Sequence, residues 1–238
     1  MAKRSGIDYF MKGFGLIQTK GLRRFVLIPL AINLVLFSVA FYWLFLQLEA
    51  IFVIVEDYVP DWLDWITTIL WPLAIIGIFV AFSYIFSAVA NWIAAPFNGL
   101  LAEKVEAHLT GRQFEDGGFA AILKDVPRTL TREWRKLVYY VPRAIGFLLL
   151  FIFLPVIGQI LWFLFTAWMM AIQYCDYAFD NHKIGFTQMK QELKQQKGLC
   201  YSFGMITTVF SMIPILNLMV MPVAVCGATM MWVEEFND

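Results

Sequence analysis

Four long apolar stretches constrain the fold of this chain more than any other feature. They cover residues 25–55, 65–102, 144–175 and 199–233, and only the first contains a charged residue, Glu49. Each exceeds the roughly 20 residues that a helix needs to cross the hydrocarbon core of a bilayer. Charged residues make up 15% of the chain, against about a quarter in soluble domains. The sequence therefore predicts an all-α integral membrane protein whose whole chain forms a single membrane domain, residues 1–238.

The first two stretches are long enough to cross a membrane completely. As helices they would extend about 46 and 57 Å, well beyond a hydrocarbon core of about 30 Å, so they must tilt or project past the lipid. We expect transmembrane helices at residues 25–55 and 65–102. Inside the second, the run AAPFNG predicts a break, because Pro96 removes a backbone donor and Gly99 relaxes the chain.

The last two stretches each carry a proline turn near the middle. Residues 154–158 read LPVIG and residues 213–217 read IPILN, and proline followed by Gly or Asn is turn chemistry. The arm before the first turn, counted from Ala144, gives only about 17 Å of helix, which is too short to cross. Two helical hairpins that partly penetrate the membrane, residues 144–175 and 199–233, are therefore predicted. The similarity of the two patterns has two open explanations, which are an internal repeat and two unrelated proline breaks.

The distribution of charge predicts the topology. Residues 1–24 contain six Lys or Arg and one acid, whereas residues 49–64 contain five acids and no base. Residues 103–143 and 176–198 contain eight and four bases. Because basic flanks mark the cytoplasmic side, the N-terminal segment and both later polar segments are expected inside and the acidic loop outside. Hairpins satisfy this arrangement, and single crossings do not.

Residues 103–143 are expected to form cytoplasmic and interfacial helices, of which residues 125–143 are an amphipathic one. Asp125 is a candidate N-cap, and Pro127 fits the first turn. Helical spacing gives one apolar side, made of Leu130, Trp134, Leu137, Val138 and Val141. It gives an opposite basic side, made of Arg128, Arg132, Arg135 and Lys136. The basic side either binds anionic lipid headgroups or draws small anions towards a pathway.

Motifs for catalysis and for metal or cofactor binding are not apparent in the sequence, so we expect no enzyme, no cofactor and no metal site. His108 and His182 have no companions at metal-ligand spacing, and the three cysteines are expected as buried hydrophobes. Glu103 and Glu106 are close enough for a carboxylate pair, but solvated salt bridges explain them better. The glycine pair in GFGL lacks the context of a phosphate-binding loop and is given no function.

The segment KGLRR, residues 20–24, directly precedes the first apolar stretch. If the helix begins near Leu22, the amides of Gly21, Leu22, Arg23 and Arg24 are its unsatisfied donors, and together with the positive helix end they suit an anion. Gly21 allows close backbone approach, and the two guanidinium groups can bind a tetrahedral oxyanion bidentately. The alternative is a topology signal with arginines that extend towards the interface.

Three segments carry a family resemblance: KGLRRFVLIPLAINLVLF, NWIAAPFNGLLAEKVEAHLTG, and the region from RTLTREWRKLVYYVPR to LPVIGQ. They resemble the CysZ-type sulfate permeases of bacterial inner membranes over nearly the whole chain. The resemblance implies sulfate uptake for cysteine biosynthesis, two spanning helices with two partly penetrating hairpins, and a dimer or higher oligomer. The family's sulfate-binding Gly-Leu-Arg motif falls on Gly21, Leu22 and Arg23, with Arg24 adjoining.

A pathway for sulfate is expected to use polar side chains within or beside the apolar stretches. Transport is either channel-like or ion-coupled, and the absence of a buried acidic or histidine relay from the central apolar segments disfavours proton coupling. The rival interpretations are a non-transporting membrane scaffold, a lipid-modifying enzyme, and a permease for another oxyanion such as thiosulfate or sulfite. The pathway candidates are Asn33, Asn91, Asn98, Glu103, Arg128 and Arg132.

Overall fold

The computed structural model describes residues 4–58, 64–112 and 118–237, and every regular element in these ranges is an α-helix. The all-α prediction is confirmed. Eight helices lie in this described part: α1 (Gly6–Ile17), α2 (Arg23–Tyr58), α3 (Asp64–Thr110), α4 (Gly118–Phe153), α5 (Ile157–Asn181), α6 (Phe186–Gln195), α7 (Lys197–Ser211) and α8 (Pro214–Glu235).

The chain divides into two compact units, of which the smaller comprises residues 27–94. It contains most of α2 and the first part of α3. The Phe41 ring stacks on Phe79 at 5.2 Å between centroids, and Phe37 lies 6.5 Å from Phe82, so the two helices pack antiparallel. Large apolar side chains along α2 are exposed, which is typical of a surface that contacts lipid or protein.

The larger unit comprises residues 1–26 and 95–238 and is built around α5. Helix α5 packs against α4, α7 and α8, while α1 packs against α7 and α8. The three cysteines, Cys175, Cys200 and Cys226, are free thiols buried in this core, as the sequence predicts. The core residues of α5 include Ala167, Ala171, Ile172, Cys175 and Phe179.

Helix α1 was not predicted, and it begins at a capping box. The Ser5 hydroxyl accepts a hydrogen bond from the Asp8 amide, and the Asp8 carboxylate accepts one from the Ser5 amide at 2.8 Å. At Gly13 the helix lies so close to α8 that a Cβ atom would come within 2.2 Å of the Val223 carbonyl oxygen. Gly13 of the GFGL pair is therefore a packing position, a role that the sequence did not indicate.

Both proline turns are confirmed. Helix α4 ends at Phe153 and α5 begins at Ile157, while α7 ends at Ser211 and α8 begins at Pro214. The turns differ in geometry. Val156 has φ 70° and ψ −62°, and the Ile157 amide donates to the Pro155 carbonyl at 2.9 Å, which together form a strained γ-turn.

Helix α4 corrects two predictions about residues 125–154. It runs without interruption from Gly118 to Phe153, so Asp125 is not an N-cap and Pro127 lies inside the helix. The arm before the first proline turn is therefore not short. Two helical stretches in the searched part of the chain, Val126–Phe153 and Ile157–Asn181, are long and apolar enough to cross a membrane.

The orientation of α4 is the reverse of that expected for a helix on the surface of a water-soluble protein. Its apolar side points outward, with Trp134 60% and Val138 57% exposed. Part of its polar side points into the protein, where Glu133 and Lys136 are buried, while Arg128 and Arg135 are exposed. Such an arrangement suits an apolar surrounding, because it exposes hydrophobic groups and gives the charges protein partners.

Helix α3 corrects the break predicted at AAPFNG. Residues Asp64–Thr110 form one helix that passes through Pro96 and Gly99. Long apolar helices tolerate proline where neighbouring groups satisfy the freed carbonyl, so a proline alone does not end them.

Candidate anion site and buried charge network

The predicted anion-binding segment forms a tight turn between α1 and α2. The Leu22 amide donates to the Thr19 carbonyl at 3.1 Å, and Gly21 has φ +97° at the third position, as in a type II turn. Only glycine adopts this backbone without a steric penalty. Open space surrounds the position where a Cβ of Gly21 would lie, so the requirement there is one of backbone conformation.

The turn changes the role of Leu22 in the predicted site. Because its amide is used within the turn, it is not one of the free donors that the sequence suggested. The Leu22 side chain is 3% exposed and belongs to the core of the larger unit. Leu22 thus anchors the turn. Helix α2 begins at Arg23, one residue after the start considered for the anion site and two residues before the predicted stretch 25–55.

Arg23 and Arg24 are both exposed at the first turn of α2. The Arg23 Nε atom donates to the Gln18 carbonyl at 2.8 Å, and Gln18 is the C-cap of α1. This contact binds the guanidinium to the negative end of α1 while using one of its five N–H donors. The positive end of α2 and two arginines therefore converge on one exposed turn.

A second group of predicted residues meets in a buried charge network between α4 and α5. Arg132 donates through Nε to Asp176 Oδ1 at 2.8 Å and through Nη1 to Asp180 Oδ1 at 2.9 Å. Arg128 shares Asp180, at 2.9 Å from its Nη1. The two carboxylates lie one helical turn apart on α5, so they present their oxygens to the same face of α4.

Lys136 extends this network into the core. Its side chain is 5% exposed, and Nζ lies 2.5 Å from Glu133 Oε1 and 3.2 Å from Asp176 Oδ2. The ring of Tyr177 lies 5.0 Å from the same nitrogen. A buried cation requires such partners, because an unpaired charge would cost several kcal/mol.

Asn98 joins the same region from α3. It is buried, and its Nδ2 donates to the Tyr177 hydroxyl at 3.3 Å. Three pathway candidates, Asn98, Arg128 and Arg132, are therefore brought together. Glu103 is exposed on α3, and the side chains of Asn33 and Asn91 lie outside the part of the chain whose side chains the structure describes.

The sequence profile of the family described as "Sulfate transporter CysZ/Etoposide-induced protein 2.4" matches residues 9–222. The chain belongs to this family. The resemblance to CysZ-type permeases is thus confirmed, and the match includes both the turn at residues 20–24 and the charge network. A transporter family with long apolar helices indicates a membrane protein with a role connected to sulfate transport.

The sequence did not predict the acidic residues that pair with the cations of the charge network. Asp176 lies one residue beyond an apolar stretch and was counted with a solvated segment, yet it is buried. His182 and Glu106 were assigned no joint role, but Nε2 lies 2.8 Å from Glu106 Oε2, and the His182 ring stacks on Trp232 at 4.0 Å. Buried carboxylates are therefore present, and the argument against ion coupling from their absence no longer holds.

Proposed function

We propose that this protein is a multi-pass sulfate permease of the bacterial inner membrane, with a cytoplasmic N-terminus, that supplies sulfate for cysteine biosynthesis. The observation that carries the proposal is the family match over residues 9–222. The outward apolar side of α4 and the exposed apolar residues of α2 support the membrane location. The family resemblance also supports assembly as a homo-oligomer.

Sulfate binds first at the turn formed by Gly21, Leu22, Arg23 and Arg24. Gly21 supplies the backbone conformation, and Leu22 fixes the turn to the core. Arg23 and Arg24 supply two positive charges at the amino end of a long helix, where an oxyanion is stabilised. Two guanidinium groups match the geometry of a tetrahedral dianion better than lysines would.

The network of α4 and α5 is the candidate pathway beyond this first site. Arg128, Arg132 and Asp180 line a cavity of about 400 Å³ together with Arg135 and Lys183. A sulfate ion entering it would exchange with the Asp180 carboxylate as partner of the two arginines. Such an exchange keeps binding weak enough for release, which conduction requires. Asn33, Asn91 and Glu103 remain predictions, as does the choice between channel-like and ion-coupled movement.

The test is uptake of radiolabelled sulfate into proteoliposomes, together with calorimetric sulfate binding. The double variant Arg23→Ala/Arg24→Ala loses two charge-assisted contacts worth about 1.5–3 kcal/mol each, so affinity should fall by about a hundredfold or more. Lys12→Ala is the matched control, because it removes a positive charge from α1 without altering the turn. Gly21→Ala should weaken binding by about tenfold through backbone strain of about 1–2 kcal/mol.

Each rival function gives a distinct result in the same vesicles. Unchanged binding in the folded double variant would remove the proposed site. Absence of flux from the purified wild-type protein would favour a membrane scaffold. Uptake driven more strongly by thiosulfate or sulfite than by sulfate would reassign the substrate within the same class of oxyanions.

A further inference from the structure

A second basic surface adjoins the cavity of the charge network, with which it shares Arg135, and forms a groove of about 550 Å³ between α4 and the start of α6. Its cations are Arg135 and Arg143 from α4 and Lys190 from α6. We call this surface the α4–α6 groove. The sequence placed Arg128, Arg132 and Lys136 on the same basic side as Arg135. In the structure, however, these three residues form salt bridges with carboxylates of the charge network.

Among the residues that the structure describes, the three cations of the α4–α6 groove have no acidic partner. The residues that line the groove include no carboxylate, and within the described part of the chain none of the three forms a salt bridge. The Arg143 guanidinium lies 3.8 Å from the Tyr139 ring centroid, and Lys190 Nζ lies 4.3 Å from the same centroid. One aromatic ring thus holds two like charges close together.

The electrostatics of Lys190 reflect this crowding. Burial, followed by the nearby charges of Arg143 and Lys194, lowers the pKa of the Lys190 ammonium. An anion bound next to Lys190 would stabilise its charged form, because it would offset the repulsion from Arg143 and Lys194.

Neutral donors of the groove face the same space. Thr187 and Phe186 form the first turn of α6, whose N-cap is Gly185, and no side chain caps this end. Uncapped amides at a helix start add to the attraction of an anion, although they would not suffice without the three cations.

The apolar side of α4 directly borders the groove. Val138 lines the groove and is exposed, and Val141 and Ile145 follow it along the same exposed side of the helix. A ligand that fits both surfaces carries a phosphate-type oxyanion at one end and a hydrocarbon chain at the other. That combination distinguishes a phospholipid from a free inorganic ion.

We propose that the α4–α6 groove binds the phosphate group of an anionic phospholipid, with its acyl chain along Val138, Val141 and Ile145. Arg135, Arg143 and Lys190 contact the phosphate oxygens, and Tyr139 keeps the last two cations in place. The site is separate from the sulfate-binding turn and requires none of its residues.

The experiment measures lipid retained by the purified full chain in detergent micelles by native mass spectrometry, with phosphatidylglycerol and phosphatidylcholine offered at equal concentration. The wild type should retain phosphatidylglycerol in preference. Arg143→Gln/Lys190→Gln should weaken this retention by about tenfold or more, since two charge-assisted contacts are lost. Lys12→Gln/Lys197→Gln is the control, with the same change of net charge outside the groove.

Two further variants test whether the lipid binds through the charges of the groove, and a displacement experiment distinguishes a lipid phosphate from a soluble anion. The charge-conserving variant Arg143→Lys/Lys190→Arg should keep the preference, which separates loss of charge from misfolding. Arg23→Ala/Arg24→Ala should retain the lipid like the wild type. Equal retention by the Arg143→Gln/Lys190→Gln variant would overturn the proposal. So would displacement of the lipid by millimolar free sulfate or phosphate, because the groove would then serve a soluble anion.

Discussion

The close approach of α1 to α8 gives a sharp prediction about residue 13. In Gly13→Ala, the added Cβ would lie 2.2 Å from the Val223 carbonyl oxygen and 3.0 Å from its carbon. Both are backbone atoms, so no change of rotamer relieves the clash. Since ordinary contact begins at 3.4 Å, the two helices must part by about 1.2 Å at this point.

The magnitude follows from opposing effects. Overpacking costs about 1–3 kcal/mol, and the separation also weakens the dispersion contacts of Tyr9 and Phe10. Alanine returns up to about 1 kcal/mol of helix propensity. We expect a net loss of roughly 2 kcal/mol for Gly13→Ala. Gly15→Ala is the matched control, because a Cβ there meets nothing within 4 Å, so it should gain up to about 1 kcal/mol.

The assay is thermal unfolding of both variants in detergent, followed by circular dichroism. A difference of about 3 kcal/mol corresponds to roughly 6–12 °C in melting temperature for a chain of this size. Because the C-cap of α1 is Gln18, whose carbonyl accepts a hydrogen bond from Arg23, sulfate affinity should also fall in Gly13→Ala and stay unchanged in Gly15→Ala. Equal melting temperatures, or a higher one for Gly13→Ala, would show that the two backbones are not in contact.

Three other predictions concern a turn, a helix cap and the interior. Val156→Gly should raise the melting temperature by about 2–4 °C, because it relieves about 1 kcal/mol of strain at an exposed turn; an unchanged or lower value would contradict the γ-turn. Hydrogen bonds from the Ser5 amide and hydroxyl lower the pKa of Asp8, so this carboxylate stabilises the fold above its unfolded pKa, and the benefit is lost as pH falls through the folded pKa. In Asp8→Asn, the α1 amides should therefore exchange with deuterium faster than in the wild type at pH 7, but at the same rate near pH 3. A difference between variant and wild type that persists in acid would exclude this role of the Asp8 carboxylate. Lys136→Met should destabilise by about 3–5 kcal/mol in thermal unfolding, since it leaves the buried Glu133 carboxylate without its cation and removes one of the two cations that contact Asp176.

Local signals in the sequence predicted the features that depend on a few neighbouring residues. Pro155 and Pro214 marked both turns, and the predicted start at residue 25 lies two residues from the start of α2, because charge gives way to an apolar run there. The capping box of Ser5 and Asp8 was also readable and would have revealed α1. The apolar pattern of α1 is short and is interrupted by the charged residues Asp8 and Lys12.

The charge network could not be read from the sequence because its partners are distant along the chain. Arg132 lies 44 residues from Asp176, and only the packing of α4 on α5 brings them together. Periodicity likewise separated the two sides of α4 but did not say which one faces outward. That choice depends on the surrounding medium, and the exposed Trp134 with the buried Lys136 reveals it.

The inverted α4 has a consequence for biogenesis. An isolated α4 would carry Arg132 into the bilayer without a counter-charge, at about 2.5–3.5 kcal/mol near the centre on insertion scales, and would pair Lys136 with Glu133 alone. The counter-charges of Arg132, and the second one of Lys136, arrive only with α5, which brings Asp176 and Asp180. The two helices must therefore enter the lipid as a pair, closed at Pro155, and a ribosome-bound chain that stops before Asp176 should remain at the interface.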